Sequence, residues 1–218
     1  MNHLFLYILS IPKTLWVNFK CLPFRKALRI PIVVSYDSSF HCDKNNIDLN
    51  CDVRKGMIRI GFHEVPAYNR KRSKIIINGR IEFNGEAHIG NGSIIYVSKN
   101  AKLILGDDFK ISASSSIICY KSISFGNNIQ FSWDCIVMDS DTHNIIDENG
   151  NIYNNDLPII FGNNIWIGCR CTILKGSVIP DCCVIGSMSL VSGKKYERNS
   201  VIAGVPAKTI KRISGWKL

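Results

Sequence analysis

One histidine stands in a segment rich in groups that can move a proton or hold a polar substrate. His143 lies within Asp-Ser-Asp-Thr-His-Asn at residues 139–144. A neutral imidazole can take a proton from a hydroxyl, so we assign the catalytic step to His143 together with Asp141. We assign Asp139 and Asn144 to substrate binding, and either aspartate can orient the imidazole. The competing interpretation is a surface loop in which these side chains only cap turns.

The elements that position this loop are indicated by an internal repeat. Large apolar residues recur at every sixth position in three runs: Ile77, Phe83, Ile89, Ile95; then Leu105, Ile111, Ile117, Ile123, Ile129; then Phe161, Ile167, Ile173, Ile179, Ile185, Val191. The next residue is often small, as in Gly90, Gly106, Gly162 and Gly168. A period of six fits neither an α-helix nor a long alternating strand. It predicts an all-β parallel β-helix with three flat faces, each inserting one aliphatic side chain into a central core.

The same pattern sets the predicted organisation of the chain. Residues 75–218 are expected to form the β-helix domain, with on the order of six coils and a short C-terminal helix or tail. Residues 1–74 are expected to form a helical or irregular cap over the first coil. The repeat vanishes between Val137 and Phe161, which predicts a loop at 138–160 that leaves one corner of the coil and carries His143.

Cysteine usage and the N-terminus indicate the compartment. The nine cysteines are odd in number, and Cys169/Cys171 and Cys182/Cys183 are too closely spaced for C-x-x-C metal sites. We therefore expect reduced thiols in a cytoplasmic protein. The apolar run at 4–11 is far shorter than the roughly 20 residues of a membrane span, and no signal-peptide cleavage site follows it. It predicts either a helix packed on the main domain or an amphipathic segment on the inner membrane surface.

Three features together carry a family resemblance. They are the hexad repeat with its histidine-bearing loop, Asn-Ile-Trp-Ile-Gly at 164–168, and Ala-Gly-Val-Pro-Ala-Lys at 203–208. Over about residues 75–212 the chain resembles the hexapeptide-repeat acyltransferases. It is most similar to their sugar O-acetyltransferase branch, with the maltose and galactoside enzymes and many capsule or lipopolysaccharide enzymes. The resemblance implies a left-handed coil and a cyclic homotrimer with active sites between subunits. It also implies acetyl-CoA or a related acyl-CoA as donor, a sugar acceptor and no metal.

The resemblance also assigns roles to residues outside the loop. It makes His143 the general base of a direct transfer and places the indole of Trp166 against the pantetheine end of the cofactor. Trp133 offers an apolar face on which a sugar can stack. The residues assigned to the cofactor are Trp166, Cys169, Ser187, Lys194, Lys208 and Lys211. The family often has Thr-Lys-Asp after its last repeats, whereas this chain has Val-Ser-Gly-Lys-Lys-Tyr at 191–196, so the lysine assignments are the least defined.

Several other functions are compatible with parts of the sequence. The net charge of +10 indicates anionic partners, which include cofactor phosphates and membrane surfaces. A β-helix metal enzyme of the γ-carbonic anhydrase kind needs three histidines, and only His88 and His143 lie in the repeat. No nucleic-acid-binding module is recognisable, so no nucleic-acid partner is expected. The alternatives that stay open are N-acylation of an amino-sugar or nucleotide-sugar and a non-catalytic scaffold.

Overall fold

The chain winds as a three-sided coil of short parallel strands. The computed structural model describes residues 3–63, 65–66, 68–69 and 71–217. Two N-terminal helices, α1 (His3–Cys21) and α2 (Phe24–Ala27), precede the strands. Successive strands belong to different sheets, and nearly every strand pairs in parallel with the third strand further along the chain. The three sheets are therefore the three faces of a prism, and the chain turns a corner after each strand.

The strands divide among three sheets, named here by their order along the coil. Sheet I contains β1 (Ile32–Val34), β4 (Ile58–Ile60), β7 (Ala87–Ile89), β10 (Phe109–Ala113), β13 (Ile129–Trp133), β16 (Ile165–Ile167), β19 (Val184–Ile185), β21 (Ser200–Gly204) and β22 (Ala207–Arg212). Sheet II contains β2 (Ser39–Cys42), β5 (Lys74–Ile77), β8 (Ile94–Val97), β11 (Ser116–Cys119), β14 (Ile136–Met138), β17 (Thr172–Leu174) and β20 (Leu190–Val191). Sheet III contains β3 (Ile47–Leu49), β6 (Arg80–Phe83), β9 (Lys102–Leu105), β12 (Ser122–Phe125), β15 (Ile159–Phe161) and β18 (Val178–Ile179).

The core fills the inside of the prism. Every apolar residue in the three hexad runs is at most 3% exposed, as the repeat predicts. Within the core, Phe125 stacks on Phe161 with ring centroids 4.4 Å apart, and Phe109 and Phe131 complete an aromatic cluster. The inward residue of each strand is thus in contact with the inward residues of the neighbouring coils, and apolar burial holds the stack together.

Residues 32–60 were predicted to belong to an irregular cap, and the structure differs there. Strands β1, β2 and β3 already pair with β4, β5 and β6, so the coil begins at Ile32. The hexad is hard to see in this part because irregular connections, such as residues 50–57, separate the strands. Helices α1 and α2 lie outside the coil at this end.

The C-terminus also differs from the predicted helix or tail. Strands β21 and β22 form an antiparallel hairpin whose turn contains Val205 and the cis-proline Pro206. The hairpin adds its second strand to the edge of sheet I, which covers backbone groups that the last coil would otherwise expose.

Helix α1 covers the opposite edge of sheet I with polar side chains. Asn18 donates to the carbonyl oxygen of Ile32 (2.6 Å) and accepts from its N–H (3.2 Å), while the Val34 N–H donates to Thr14 Oγ1 (3.1 Å). Four helical residues rise about 6 Å, close to the length of two strand residues, so side chains spaced by four match alternate strand residues. The helix thereby satisfies the open edge of β1.

A ladder of amide and carboxylate side chains stabilises the corner between sheets III and I. Asn127 Oδ1 accepts from the Asp107 N–H, Asn163 Oδ1 from the Asn127 N–H, and Asp181 Oδ1 from the Asn163 N–H, at 2.7–2.8 Å. The backbones stack closely here. A Cβ placed on Gly126 would lie 2.5 Å from the Gly162 carbonyl oxygen, so the corner requires glycine.

All nine cysteines are free thiols. Cys119, Cys135, Cys171 and Cys183 are buried at inward or corner positions, in agreement with the expectation of reduced core and turn residues. Burial raises the pKa of the Cys119 thiol, which keeps it protonated and unreactive.

Candidate active site

The loop that carries His143 leaves the corner between sheets II and III. Strand β14 ends at Met138, β15 begins at Ile159, and residues 141–153 between them are exposed. The imidazole lines an open cleft of about 230 Å³. The other residues around this cleft are Tyr120, Ser140, Thr142, Asn144, Asn154, Asn155 and Asp156. His143 Nδ1 lies 3.1 Å from Thr142 Oγ1, so a neighbouring hydroxyl is in hydrogen-bond contact with the imidazole.

A three-residue clamp closes the base of this loop. Lys175 Nζ donates to Asp141 Oδ2 (2.5 Å) and to the Asn154 carbonyl oxygen (2.6 Å). Asn154 Nδ2 donates to the same Asp141 oxygen (2.6 Å) and to the carbonyl oxygen of His143 (2.9 Å). The Ile145 N–H donates to Asn154 Oδ1, 2.6 Å away. The clamp therefore fixes the backbone on both sides of His143 to strand β17 and its following turn.

Asp141 was predicted to act with His143, and the structure gives its carboxylate other partners. The lysine hydrogen bond, followed by that of the Asn154 amide, holds the pKa of Asp141 below its usual range. The carboxylate is thus an anchor of the loop, and it acts on the imidazole only through the backbone. Asn144 lies in the His143 cleft, as a substrate-binding role requires.

Asp139 was predicted to bind the substrate, but its side chain does not line the His143 cleft. Its side chain is fully buried, and its oxygens accept from the backbone N–H groups of Tyr120 (2.7 Å), Lys121 (2.9 Å) and Ser122 (2.6 Å). These three amides belong to the same corner one coil earlier. A carboxylate with three backbone donors satisfies a turn that would otherwise bury unpaired N–H groups, so Asp139 is structural.

A second cleft, of about 220 Å³, lies on the outer side of sheet I. Trp166 forms one wall with its indole 41% exposed, and its Nε1 donates to Ser132 Oγ (3.3 Å). Trp216 folds back from the C-terminal segment and forms the facing wall, with ring centroids 6.4 Å apart. Its Nε1 donates to the Asn164 carbonyl oxygen, 2.8 Å away. An exposed indole pair beside polar groups is suited to an elongated, partly apolar ligand.

Cys169 and Ser187 lie on adjacent coils at the corner between sheets I and II, next to the strand of Trp166. The Met188 N–H donates to the Cys169 carbonyl oxygen (2.9 Å), and Gly168 approaches the Ser187 backbone closely. The structure therefore brings together Trp166, Cys169 and Ser187, three of the predicted cofactor residues.

Trp133 lies at this same corner. Its ring contacts Tyr68 with centroids 5.7 Å apart, and Tyr68 donates to Asp134. Burial, together with that hydrogen bond, raises the pKa of Tyr68 to about 12. Trp133 thus belongs to an aromatic cluster at the corner between sheets I and II, whereas His143 lies at the next corner. Within one chain Trp133 is therefore not part of the lining of the His143 cleft.

The predicted phosphate-binding lysines are exposed and lie near the C-terminal end of the coil. Lys194 follows β20, and Lys208 and Lys211 are on β22. These three lysines are not among the described residues that form the Trp166 cleft or the His143 cleft. The residue that lines the Trp166 cleft instead is Lys217.

Sheet II lies between the corner of the His143 cleft and sheet I, and one outward row of its side chains is apolar. This row contains the half-buried Ile76, Tyr96, Ile118 and Met138. In the neighbouring outward row, Ile94 and Ile136 are 38% and 42% exposed and alternate with Lys74, Ser116 and Thr172. Exposed apolar side chains grouped in this way are typical of a protein–protein contact.

Comparison with known proteins shows to which family the chain belongs. No protein-family model matches the chain. Galactoside O-acetyltransferase of Escherichia coli strain K12 is 31% identical over 122 residues, which are 55% of this chain and 59% of that enzyme. The match thus spans less than two thirds of that relative. An uncharacterized 24.8 kDa protein in the cps region of Klebsiella pneumoniae is 32% identical over 206 residues, covering 92% of this chain and 88% of that protein. The chain belongs to the hexapeptide-repeat acetyltransferase superfamily.

The family's fold agrees with the structure of this chain. The solved structure of the polySia-specific acetyltransferase NeuO aligns with a TM-score of 0.51 at 24% identity, over 86% of this chain and 89% of that one. The predicted left-handed parallel β-helix is therefore confirmed.

Sequence reasoning missed three residues of this acetyltransferase-family site. Lys175 and Asn154 clamp the loop, and Trp216 forms a wall of the Trp166 cleft. Lys175 lies 32 positions after His143 in a stretch of regular repeat, where a lysine usually marks a solvated face. Trp216 is a single tryptophan in the basic C-terminal segment. It lies outside the repeat, so no sequence pattern connected it with Trp166.

A third cleft, of about 370 Å³, lies on the outer side of sheet I toward its N-terminal end. It shares strand β10 with the Trp166 cleft, because Lys110 lines the third cleft and Ser112 lines the Trp166 cleft. In the third cleft Arg54 pairs with Glu86 (2.9 Å) and Lys110 with Asp108 (2.6 Å). We assign this cleft no role in the family's chemistry. Within the described part of the chain, no group of three or more His, Cys, Asp or Glu side chains is arranged to hold a metal.

Proposed function

We propose that this protein transfers an acetyl group from acetyl-CoA to a hydroxyl of a sugar or polysaccharide precursor, with His143 as the general base. The observation that carries the proposal is the position of the two clefts. An exposed histidine, clamped by its backbone, lies at the corner between sheets II and III, and an exposed indole lies on the outer side of sheet I, next to the corner that leads to sheet II. The name of the galactoside O-acetyltransferase relative supports a sugar hydroxyl as acceptor.

The separation of the clefts requires a second copy of the chain. In a cyclic homotrimer whose contacts run along sheet II, the Trp166 border of one subunit lies beside the His143 border of its neighbour. The apolar outer side of sheet II, with Ile94 and Ile136, supplies the surface that such contacts bury. We therefore propose three equivalent sites, each composed of residues from two subunits.

The chemistry assigned to the chain is a single transfer without an acyl-enzyme. His143 takes the proton of the acceptor hydroxyl as that oxygen attacks the thioester carbonyl carbon. The negative charge that develops on the carbonyl oxygen is stabilised by a corner backbone N–H near Cys169 or Ser187. The carbon–sulfur bond then breaks, and the thiolate of CoA recovers the proton from the imidazolium. The products are the sugar ester and free CoA.

The remaining predicted residues are assigned to ligand binding in this proposal. Trp166 packs against the pantetheine arm, and Lys194, Lys208 and Lys211 are the candidates for the CoA phosphates because they are exposed cations near that end of the coil. We propose that Asn144 and Trp133 contact the acceptor from the two sides of a subunit interface. We place the protein in the cytoplasm, where its free thiols stay reduced.

The test is acceptor-dependent release of free CoA thiol from acetyl-CoA. A panel of hydroxyl sugars and amino sugars is compared for the wild type, His143→Ala and the control Asn149→Ala, since Asn149 is an exposed polar residue of the same loop that does not line the cleft. We expect release with hydroxyl sugars, a fall of about 10² in rate for His143→Ala, and no change for Asn149→Ala.

Each contrary outcome has a definite meaning. Release with amino sugars alone would replace ester formation by N-acylation. An active wild type with an equally active His143→Ala variant would remove His143 as the base. If the wild type neither binds acetyl-CoA nor releases thiol with any acceptor, the scaffold alternative replaces the enzyme.

A further inference from the structure

Helix α1 buries polar side chains on its inner face beside the apolar Leu6, Val17 and Cys21, which is unusual for a surface helix. Its inner face carries Ser10, Thr14 and Asn18, which are buried and hydrogen-bonded to the backbone of residues 32–36. A helix on a globular protein usually turns its apolar stripe inward and its polar face to water. Here the polar side chains spaced by four residues are used to pair with the edge of β1.

The outward face of α1 is correspondingly apolar. From residue 5 to residue 19, every described side chain classed as exposed is apolar: Phe5, Ile8, Leu9, Ile11, Pro12, Leu15, Trp16 and Phe19. Seven of these large side chains are between 38% and 53% exposed. Phe24 and Leu28 extend the surface beyond α1, with 67% and 58% exposed. A continuous apolar surface of this kind marks a contact site.

The charges that the first 36 residues contribute have one sign. The first 36 residues contain no aspartate or glutamate and five cations, Lys13, Lys20, Arg25, Lys26 and Arg29, so they contribute half of the net charge of +10. Lys20 and Arg25 are exposed at the C-terminal end of the apolar face, and Lys20 Nζ lies 4.7 Å from the Trp16 ring centroid.

The apolar face and the cations beside it together indicate which kind of partner this surface binds. Two copies of the face would bring cations against cations, which opposes self-association. An anionic surface meets no such repulsion, and a lipid headgroup layer accepts aromatic side chains below and lysine or arginine above. In the described part of the chain no helix is long and apolar enough to cross a membrane. The inner hydrogen bonds to β1 also hold α1 flat against the coil, which suits a surface contact.

We propose that the outer face of α1, extended by Phe24 and Leu28, docks this protein on the surface of a bilayer that contains anionic lipid. The apolar side chains enter the boundary between headgroups and acyl chains, and Lys20, Arg25 and Arg29 contact the lipid phosphates. The contact lies at the N-terminal end of the coil, so it leaves the His143 and Trp166 clefts open.

The experiment is co-sedimentation of the full-length protein with vesicles. One set contains equal parts of phosphatidylcholine and phosphatidylglycerol, and the other contains phosphatidylcholine alone. The test variant Trp16→Glu/Phe19→Glu is paired with the control Val205→Glu/Ile210→Glu, which makes the same charge change on exposed apolar residues of the C-terminal hairpin. We expect wild type and control to bind the anionic vesicles, with a partition coefficient at least about tenfold lower for the test variant.

A second variant keeps the apolar face and removes exposed charge. Lys20→Gln/Arg25→Gln should fold normally, because both side chains are exposed, and should lose the preference for anionic vesicles. Added salt should weaken the wild-type binding in the same direction. Circular dichroism of each variant verifies the fold, and thiol release with a soluble acceptor should be unchanged in the Trp16→Glu/Phe19→Glu variant.

Three outcomes would overturn the proposal. The first is a folded wild type that binds neither kind of vesicle. The second is equal binding by the test variant and wild type, which would locate any lipid contact elsewhere. The third is a wild-type assembly larger than a trimer that Trp16→Glu/Phe19→Glu dissociates, which would make a second copy of the chain the occupant of this face. All three are independent of whether acetyl transfer is observed.

Discussion

Lys175 and Asp141 form an ion pair of 2.5 Å across the base of the loop that presents His143. The lysine side chain is only 17% exposed, and it also reaches the Asn154 carbonyl oxygen, so it connects the loop to strand β17. This pair explains how an exposed loop of polar residues can hold the backbone of His143, the proposed general base, in one position. It also makes Lys175 a positioning residue, since its partners are loop groups rather than the imidazole.

Replacing Lys175 tests that positioning role. Lys175→Met removes both hydrogen bonds while keeping most of the aliphatic stem, so the His143 backbone should lose its anchor. We expect kcat to fall about 10- to 100-fold with little change in KM for acetyl-CoA, because misplacement of a catalytic group by about 1 Å has effects of this size. Lys175→Arg should recover part of the activity, and Lys44→Met, at an exposed lysine far along the chain, should leave kcat unchanged. Equal kcat for Lys175→Met and wild type would show that the clamp has no catalytic role.

The clamp should also depend on pH in a predictable direction. The pKa of Asp141 is held below its usual range, so the folded loop binds the deprotonated form more tightly. The stabilisation is therefore complete above the ordinary carboxyl pKa of about 3.9 and is lost as the pH falls below it, through the folded value. The protection factor of the Ile145 amide, whose N–H donates to Asn154, corrects its exchange rate for the intrinsic effect of pH. It should stay high at weakly acidic pH and fall only below that range. In Lys175→Met the fall should begin at higher pH, and an unmoved transition would contradict the assignment.

Trp166 should contribute to donor binding rather than to the chemical step. Trp166→Ala removes a half-exposed indole from its cleft, and the loss of one aromatic contact of about 1 kcal/mol corresponds to a several-fold to tenfold rise in KM for acetyl-CoA. The rate at saturating donor should change little. Trp16→Ala, a tryptophan of similar exposure on α1, is the matched control and should not alter KM. A Trp166→Ala variant with normal KM would place the donor elsewhere than in this cleft.

The stacked corner between sheets III and I predicts a stability effect without a loss of chemistry. Gly126→Ala places a methyl group 2.5 Å from the carbonyl oxygen of Gly162, and neither backbone can move without shifting a coil. Overpacking of this kind should lower the free energy of unfolding by about 1–3 kcal/mol. Urea denaturation measures it, with Ser124→Ala on the outer side of β12 as the control that should stay close to wild type. A Gly126→Ala protein as stable as wild type would mean that the corner can expand.

The hexad repeat was sufficient to predict the core and the fold class. Ile117, Ile167 and Ile185 are buried where the period of six places them, because each face of the coil repeats one geometric unit and inserts one side chain. The same local logic found the loop of His143, since the repeat stops where the chain leaves the coil. The repeat did not predict the early strands β1 to β4, because irregular connections interrupt the period of six there.

The roles of individual polar residues depended on contacts between distant coils, which no local pattern encodes. Asp139 and Asp141 are two positions apart, yet one is buried under three backbone amides and the other pairs with Lys175, 34 residues away. The sequence determined the coil, its buried positions and the family, because these follow from a repeated short-range unit. Only the tertiary structure decided which carboxylate anchors the loop, that Trp216 faces Trp166, and that the His143 cleft lies at the corner between sheets II and III while the Trp166 cleft lies on the outer side of sheet I. Those facts follow from how coils stack and corners align.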